Sequence, residues 1–275
     1  MDKTSKFVDR VTSYLRELAY ETDTVKKSEF FRRYLEIMSK FWRYSYRNQL
    51  LIMSQMPHAT RVASFRKWRE MKRYVKKGSK AIKITAPRMS KEKHIDPDTG
   101  KVIEQAEVRG FGQANVFDVS QTEGRPLPDI DITVDGDDHI GFLQKLLGFC
   151  SAKNIKVDFK NLGINGLYGY SKGGQIAVSD TESINTQANT LIHEIAHEIM
   201  AHKGQKLSRQ QREIQAEGVA YVVTKHFGME NKSFHYLALY DADHRKIMEN
   251  LKAIAGASRE IIGFLEERMS VPSAA

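Results

Sequence analysis

The chain has 275 residues, with 43 Lys and Arg against 34 Asp and Glu for a net charge of +9, and 41% of it is hydrophobic. That length holds more than one hydrophobic core. A single cysteine, Cys150, excludes an intrachain disulfide and a cysteine-cluster zinc site, and fits a reducing cytoplasm. No stretch approaches the ~20 apolar residues of a membrane span and the first residues hold no apolar signal core, so a cytoplasmic protein without a membrane partner is expected.

Charge divides the chain. Residues 1–128 carry 27 Lys and Arg against 15 Asp and Glu, a balance of +12, while 129–275 balance at −3. The connector Glu123-Gly124-Arg125-Pro126-Leu127-Pro128-Asp129 between them has the Pro/Gly content of a domain boundary. Two domains are expected, 1–128 and 129–275, in an α+β chain.

The basic half opens with two predicted helices. One lies around 6–20, with Phe7, Val11, Tyr14, Leu15 and Leu18 at helical spacing; the other lies around 28–40, with Phe30, Phe31, Tyr34, Leu35 and Met38. An aromatic and basic run follows (Phe41-Trp42-Arg43-Tyr44-Ser45-Tyr46-Arg47-Asn48-Gln49) and leads into Leu50-Leu51-Ile52. Residues 64–75 read as a short helix, Lys76-Lys77-Gly78-Ser79-Lys80 as a turn, and Ala81–Thr85 as an alternating strand. The Asp-Pro-Asp-x-Gly sequence within 94–101 is turn chemistry that joins this strand to a second one over 110–119.

Lysine and arginine interleaved with aromatics suit a single-stranded nucleic acid, cations tracking phosphates while rings stack bases. The residues expected to contact DNA are Arg43, Arg47, Asn48, Arg66, Lys67, Trp68, Lys76, Lys77 and Lys80. The competing reading makes Phe65, Trp68 and Tyr74 core residues beneath a solvated basic face.

In the acidic half, 138–150 reads as a helix and 155–159 as a strand. Two strands are expected around the Lys172-Gly173-Gly174 turn; no Pro or Gly then interrupts the chain from Gly174 to Gly204, and a helix is expected through Thr190–Ala201. That stretch contains His193-Glu194-Ile195-Ala196-His197. Histidines four apart share a helix face and can reach one ion, and the glutamate between them can take a proton from water at that ion. Ser208 is a candidate N-cap for a second helix in which Glu213 and Glu217 share a face, with Ile214, Val219, Val222 and Val223 as its apolar stripe. Two His and one Glu leave an open position on zinc, the arrangement of a catalytic site; the second acid is free to orient a ligand histidine. His202, five residues after His197, lies off the ligand face and reads as structural, and 245–269 reads as a long covering helix.

The Glu-x-x-x-Glu spacing resembles the Glu-x-x-x-Asp element of thermolysin-like gluzincins, which implies Glu213 as the zinc ligand and Glu217 as its outer-shell partner or the alternative ligand. In the basic half, Asn48-Gln49-Leu50-Leu51, Phe65-x-x-Trp68, Val75–Ile84 and Val116–Thr122 together resemble the N-terminal domain of ArdC-type antirestriction proteins. The metal half is similar to the zincin domain that follows it there and to the wider ImmA/IrrE group of gluzincin peptidases. Phe65 stands where many relatives have threonine.

This resemblance implies a basic α+β domain that binds single-stranded DNA, followed by a zincin-like metallopeptidase domain, carried on a plasmid or other mobile element and protecting incoming DNA from restriction. It implies Zn2+ on His193, His197 and Glu213, Glu194 as the general base, and a protein substrate: a DNA-bound protein, a restriction enzyme or a repressor. An edge strand beside the metal helix would receive the substrate, with Gln175–Ser179 as the candidate on resemblance. Two other readings remain: a non-catalytic single-stranded-DNA-binding antirestriction protein with a structural metal site, and an ImmA-like peptidase that cleaves a repressor. The oligomeric state is not legible from the sequence.

Overall fold

The structure is a computed structural model that describes residues 9, 13, 24–95, 102–127, 139–164, 166–204, 206–229 and 244–269. In chain order the elements are α1 (Thr24–Lys40), α2 (Tyr46–Gln55), β1 (Val62–Ser64), α3 (Phe65–Glu70), β2 (Arg73–Val75), β3 (Ile82–Ile95), β4 (Val102–Asp118) and β5 (Thr122–Gly124). They continue with α4 (His139–Ala152), β6 (Lys156–Lys160), β7 (Gly169–Ser171), β8 (Gln175–Ser179), α5 (Ile184–Ile199), α6 (Arg209–His226) and α7 (His244–Met269). The helix expected over 6–20 lies outside the described residues except at Asp9 and Ser13. Contacts divide the chain into two compact units, 1–14 with 47–128 and 15–46 with 129–275.

The first unit is built on an antiparallel sheet of order β1-β4-β3, with a two-stranded β2-β5 pair beside it. Val62 pairs with Asp118 and Ile82 with Val116, and the long β3–β4 ribbon runs out to Ile95 opposite Val102. The strands are thus longer than the sequence suggested. The expected helix over 64–75 stops at Glu70, because Lys72 adopts a left-handed conformation (φ 56°) and the chain re-emerges as β2. Two amides one helical face apart on α2 close the outer edge of β3. Asn48 donates to the Thr85 carbonyl and accepts from its N–H (2.8 and 2.9 Å); Gln55 does the same for Lys83 (2.9 and 3.0 Å). The edge groups of Lys83 and Thr85, which could pair with another strand, are thus satisfied internally.

The second unit holds a mixed sheet of order β6-β8-β7, β6 parallel and β7 antiparallel to β8. Its core is helical: Leu191, Ile192, Ile195 and Ala196 of α5, Val219, Val222 and Val223 of α6, and Leu251, Ile254 and Ile261 of α7 are all buried. The apolar residues of α5 recur at three- and four-residue spacing, so burying that stripe leaves His193, Glu194 and His197 together on another face. Helix α1, although encoded in the basic half, packs here. Phe31, Tyr34, Leu35 and Met38 are fully buried, Tyr221 donates to Glu36 (3.4 Å), and a His226 ring nitrogen lies 2.8 Å from the Ser39 carbonyl. Its apolar face finds its core in the helices of the second unit, a pairing that no local sequence signal states. Among the described residues no helix is long and apolar enough to cross a membrane.

Candidate metal centre

Helix α5 starts at an N-cap, Ser183, whose side chain accepts from the Thr186 N–H; α6 starts at Ser208 in a capping box with Gln211. Both helix starts are therefore set by local chemistry, and the helix registers carry the site residues inward. His193 and His197 place their Nε2 atoms 3.0 Å apart, and Oε2 of Glu213 lies 3.4 Å from the first and 3.7 Å from the second. A tetrahedral ion with bonds of about 2.0–2.1 Å separates its ligand atoms by about 3.3–3.4 Å. The observed triangle brackets that spacing, and two imidazoles plus a carboxylate are donors suited to a divalent cation. The residues fit.

Glu217 faces the other nitrogen of His193, with Oε1 3.4 Å from Nδ1. His202 faces the other nitrogen of His197, Nδ1 to Nδ1, at 2.8 Å. The sequence reading of His202 as merely structural missed this contact, because five residues do not share a helix face. The left-handed turn at Ala201 (φ 50°) ends the helix and folds residue 202 back beneath His197.

Electrostatics follow from burial and these pairings. Burial by itself depresses the His193 imidazolium, but the hydrogen bond with Glu213 and the charges of Glu217 and Glu194 outweigh it and raise its pKa. Hydrogen bonds from His193 and His197 hold the Glu213 carboxyl far below the usual carboxylate range. Burial pushes Glu194 and Glu217 up, and it favours the neutral form of His202. Glu194 is thus a base of raised affinity for protons, with the Ser171 hydroxyl of β7 as a hydrogen-bond partner.

These groups line a cleft of ≈ 1180 Å³ together with Tyr168, Tyr170 and Arg212. Tyr168 is exposed, while Tyr170 sits on the neighbouring strand beneath the Lys160 and Lys172 ammonium groups. Among the described residues, the strand beside α5 that has a free edge is β7, not β8 as expected: β8 lies between β6 and β7 and has both edges occupied. The parallel β6–β8 pairing that decides this is invisible to hairpin signals. Gly169 on β7 allows close approach to α5, since a Cβ there would stand 2.6 Å from Thr190 Cγ2. Glu198, next to His197, clamps the β7–β8 turn by accepting from the N–H groups of Gly173 (2.8 Å) and Gly174 (2.6 Å).

The residues expected to bind DNA separate. Trp68 is buried (1% exposed) and donates its indole N–H to the Phe117 carbonyl (2.8 Å), and Asn48 is buried on the β3 edge. Neither is available to a base, because each spends its polar group on the fold. Arg66 and Lys67 are exposed and share Glu70 (3.1 and 3.2 Å), surface pairs of small energetic weight. Lys76 donates to the Ser120 carbonyl, while Arg47, Lys77 and Lys80 are exposed. Arg43 belongs to the second unit, paired with Glu266 and stacked on Trp42. Among the described residues, the exposed Phe, Tyr and Trp rings of the first unit are Phe65, Tyr74 and Phe111 (50%, 54% and 60%). Strand alternation could have singled out Phe111, which shares its outward face with Gln113 and Asn115.

Comparison with known proteins covers both halves. Residues 2–117 match the family model described as the N-terminal domain of anti-restriction factor ArdC, and residues 150–264 match that of the IrrE N-terminal-like domain of the M78 peptidases. An uncharacterized protein of Bacillus anthracis is 29% identical over 261 residues, covering 79% of this chain; the chain spans 44% of that relative's length. Among solved structures, the metal-free crystal structure of antirestriction ArdC protein from the R388 plasmid superposes with a TM-score of 0.49 at 14% identity, over 82% of this chain and 86% of the other. Its Mn(II)-bound form gives 0.44 at 15%, over 86% and 98%. The chain thus has an ArdC-type architecture, an N-terminal domain that matches anti-restriction factor ArdC followed in order by an IrrE N-terminal-like domain.

Proposed function

We propose that this chain is a DNA-associated zinc metallopeptidase with an antirestriction role, binding single-stranded DNA through its basic unit and hydrolysing peptide bonds of a protein substrate through its second. The observation that carries the peptidase reading is the convergence of His193, His197 and Glu213 with buried Glu194, in a cleft flanked by a strand with a free edge. Two His and one Glu leave an open coordination position, as catalytic rather than structural zinc requires.

When bound, the ion supplies Lewis acidity to the scissile carbonyl. The protein supplies the rest. The edge of β7 receives an extended peptide by main-chain hydrogen bonds, which tolerates many side chains. Glu194 takes a proton from the attacking water and returns it to the leaving amine; its raised pKa suits both transfers. Ser171 holds the Glu194 carboxylate toward the cleft, and Glu198 fixes the strand turn beside it.

The DNA reading is supported by the +10 balance of residues 1–14 with 47–128 (20 Lys and Arg against 10 Asp and Glu) and by cations and rings exposed on that unit. Arg47, Arg66, Lys67, Lys76, Lys77 and Lys80 contact phosphates, and Phe65, Tyr74 and Phe111 replace Trp68 as the stacking surface. Glu194→Gln tests the chemistry. The variant should keep metal and lose cleavage of a DNA-bound protein; cleavage at the wild-type rate would exclude peptide hydrolysis through Glu194. Protection of DNA that survives Glu194→Gln and chelation, but not charge reversal at Lys76, Lys77 and Lys80, would instead establish a DNA-coating protein.

A further inference from the structure

We propose that His202 is the positioning residue for His197 and the first link of a buried relay, His202–Gln215–Asn250, that ties the metal site to the seating of α7. The inference rests on the metal site proposed above and extends it to residues with no ligand spacing in the sequence.

The geometry dictates the direction of every hydrogen bond. An imidazole that offers Nε2 to a cation carries its proton on Nδ1. His197 Nδ1–H therefore donates to Nδ1 of His202, 2.8 Å away. His202, accepting there, carries its proton on Nε2 and donates to Oε1 of Gln215 at 2.9 Å. That leaves the Gln215 amide to donate to Oδ1 of Asn250 at 2.8 Å, the contact observed. The chain of donors has one consistent polarity, running from the ligand, through the turn after α5 and through α6, to α7.

Three further observations favour a site over incidental core polarity. His202, Gln215 and Asn250 are 2%, 4% and 2% exposed, so each contact is made out of water, where an unmet polar group is costly. Residue 202 reaches its place only through the left-handed backbone at Ala201, a conformation that disfavours a side chain by ~1–2 kcal/mol and has to be held by its surroundings. The arrangement also completes a pattern: Glu217 faces the outward nitrogen of His193, and His202 faces that of His197. Each of the two histidines thus has one outer partner from a different segment. Such partners fix ring orientation and tautomer, and their loss typically weakens metal binding about 10–100-fold.

The test is Zn2+ affinity of the purified full chain, measured by competition with a chromophoric chelator, alongside thermal unfolding of the metal-free protein. His202→Leu should weaken zinc about 10–100-fold. His202→Asn, whose carbonyl oxygen can take the place of Nδ1 as acceptor, should restore most of that loss. Asn250→Leu, remote from the ion, should show a smaller loss in the same direction. Loading with Co2+ adds a signature that a purely structural role would not move: the visible bands of His202→Leu should shift, and those of His202→Asn should return toward wild type. Wild-type affinity and unshifted bands in His202→Leu, with or without a lowered melting temperature, would overturn the positioning role. Should His202→Leu fail to fold, His202→Asn and Asn250→Leu decide. Wild-type zinc affinity in Asn250→Leu overturns the relay, and loss of affinity in His202→Asn as large as in Glu213→Ala overturns the acceptor role. Failure of the wild type to bind zinc would instead remove the metal reading itself, and this inference with it.

Discussion

Replacing Glu213 and Glu217 separately distinguishes ligand from partner, and the structure sets how different the outcomes must be. Glu213 directs Oε2 at the point where both Nε2 atoms converge, 3.4 and 3.7 Å from them, whereas Glu217 lies 3.4 Å from the outward Nδ1 of His193. Structural zinc sites bind with about 10–16 kcal/mol. Spread over four ligands, that is roughly 2.5–4 kcal/mol each, or about two to three decades in Kd at about 1.4 kcal/mol per decade. Glu213→Ala should therefore weaken zinc by about 100–1000-fold, and Glu217→Ala by about 10–100-fold. The Gln variants sharpen the contrast. Glu217→Gln keeps an acceptor for His193 Nδ1–H and should recover much of the loss, while Glu213→Gln gives up the carboxylate the ion needs. Chelator competition on metal-free protein measures both. A larger loss at Glu217 than at Glu213 would refute the assignment and exchange the roles of the two acids.

Four other outcomes follow from the same geometry. Trp68→Ala should destabilise the first unit by about 3–5 kcal/mol, because it empties a buried site and orphans the Phe117 carbonyl. Phe65→Ala should change stability by about 1 kcal/mol or less and weaken single-stranded DNA by about 1–3 kcal/mol per stacked base; denaturant melts and salt-controlled gel shifts separate the two, and equal effects on DNA would return Trp68 to the interface. Glu198→Ala removes both acceptors of the Gly173 and Gly174 N–H groups, each charged bond worth about 1.5–3 kcal/mol. Hydrogen exchange over residues 171–175 should accelerate, and unchanged protection would show that the clamp does not hold the β7–β8 turn. For pH, the folded-state pKa of His193 is raised above 6.5, so its stabilisation of the metal-free fold is full below that value and lost as pH climbs through the folded pKa. The metal-free melting temperature should fall as pH rises from about 6 to about 8, while the gain from added zinc grows because the ion needs deprotonated imidazole. A zinc-induced gain that shrinks over that range would contradict the ligand role of His193.

The site was legible in the sequence wherever its geometry is local. His193, Glu194 and His197 meet because a helix returns to the same face every three to four residues, and the two helix starts are announced by Ser183 and Ser208. Boundaries failed where the backbone departs from propensity: α3 ends early at the left-handed Lys72, and the strand alternation over 81–85 understated a ribbon that runs to Ile95. Aromatic residues were ambiguous for a different reason. Phe65 and Trp68 are three residues apart on one short helix, yet one is half exposed and the other is buried.

Local chemistry alone thus determined the two-histidine motif, the acid pair and the charge asymmetry of the halves, since each is a matter of spacing or composition. Tertiary packing decided what spacing cannot carry. It chose Glu213 over Glu217 to face the convergent nitrogens, made β7 rather than β8 the open edge, turned Trp68 inward, gave α1 to the second unit, and brought His202 under His197. Each of these depends on contacts between segments distant in the chain or on a single left-handed residue, and neither leaves a periodic trace in the sequence.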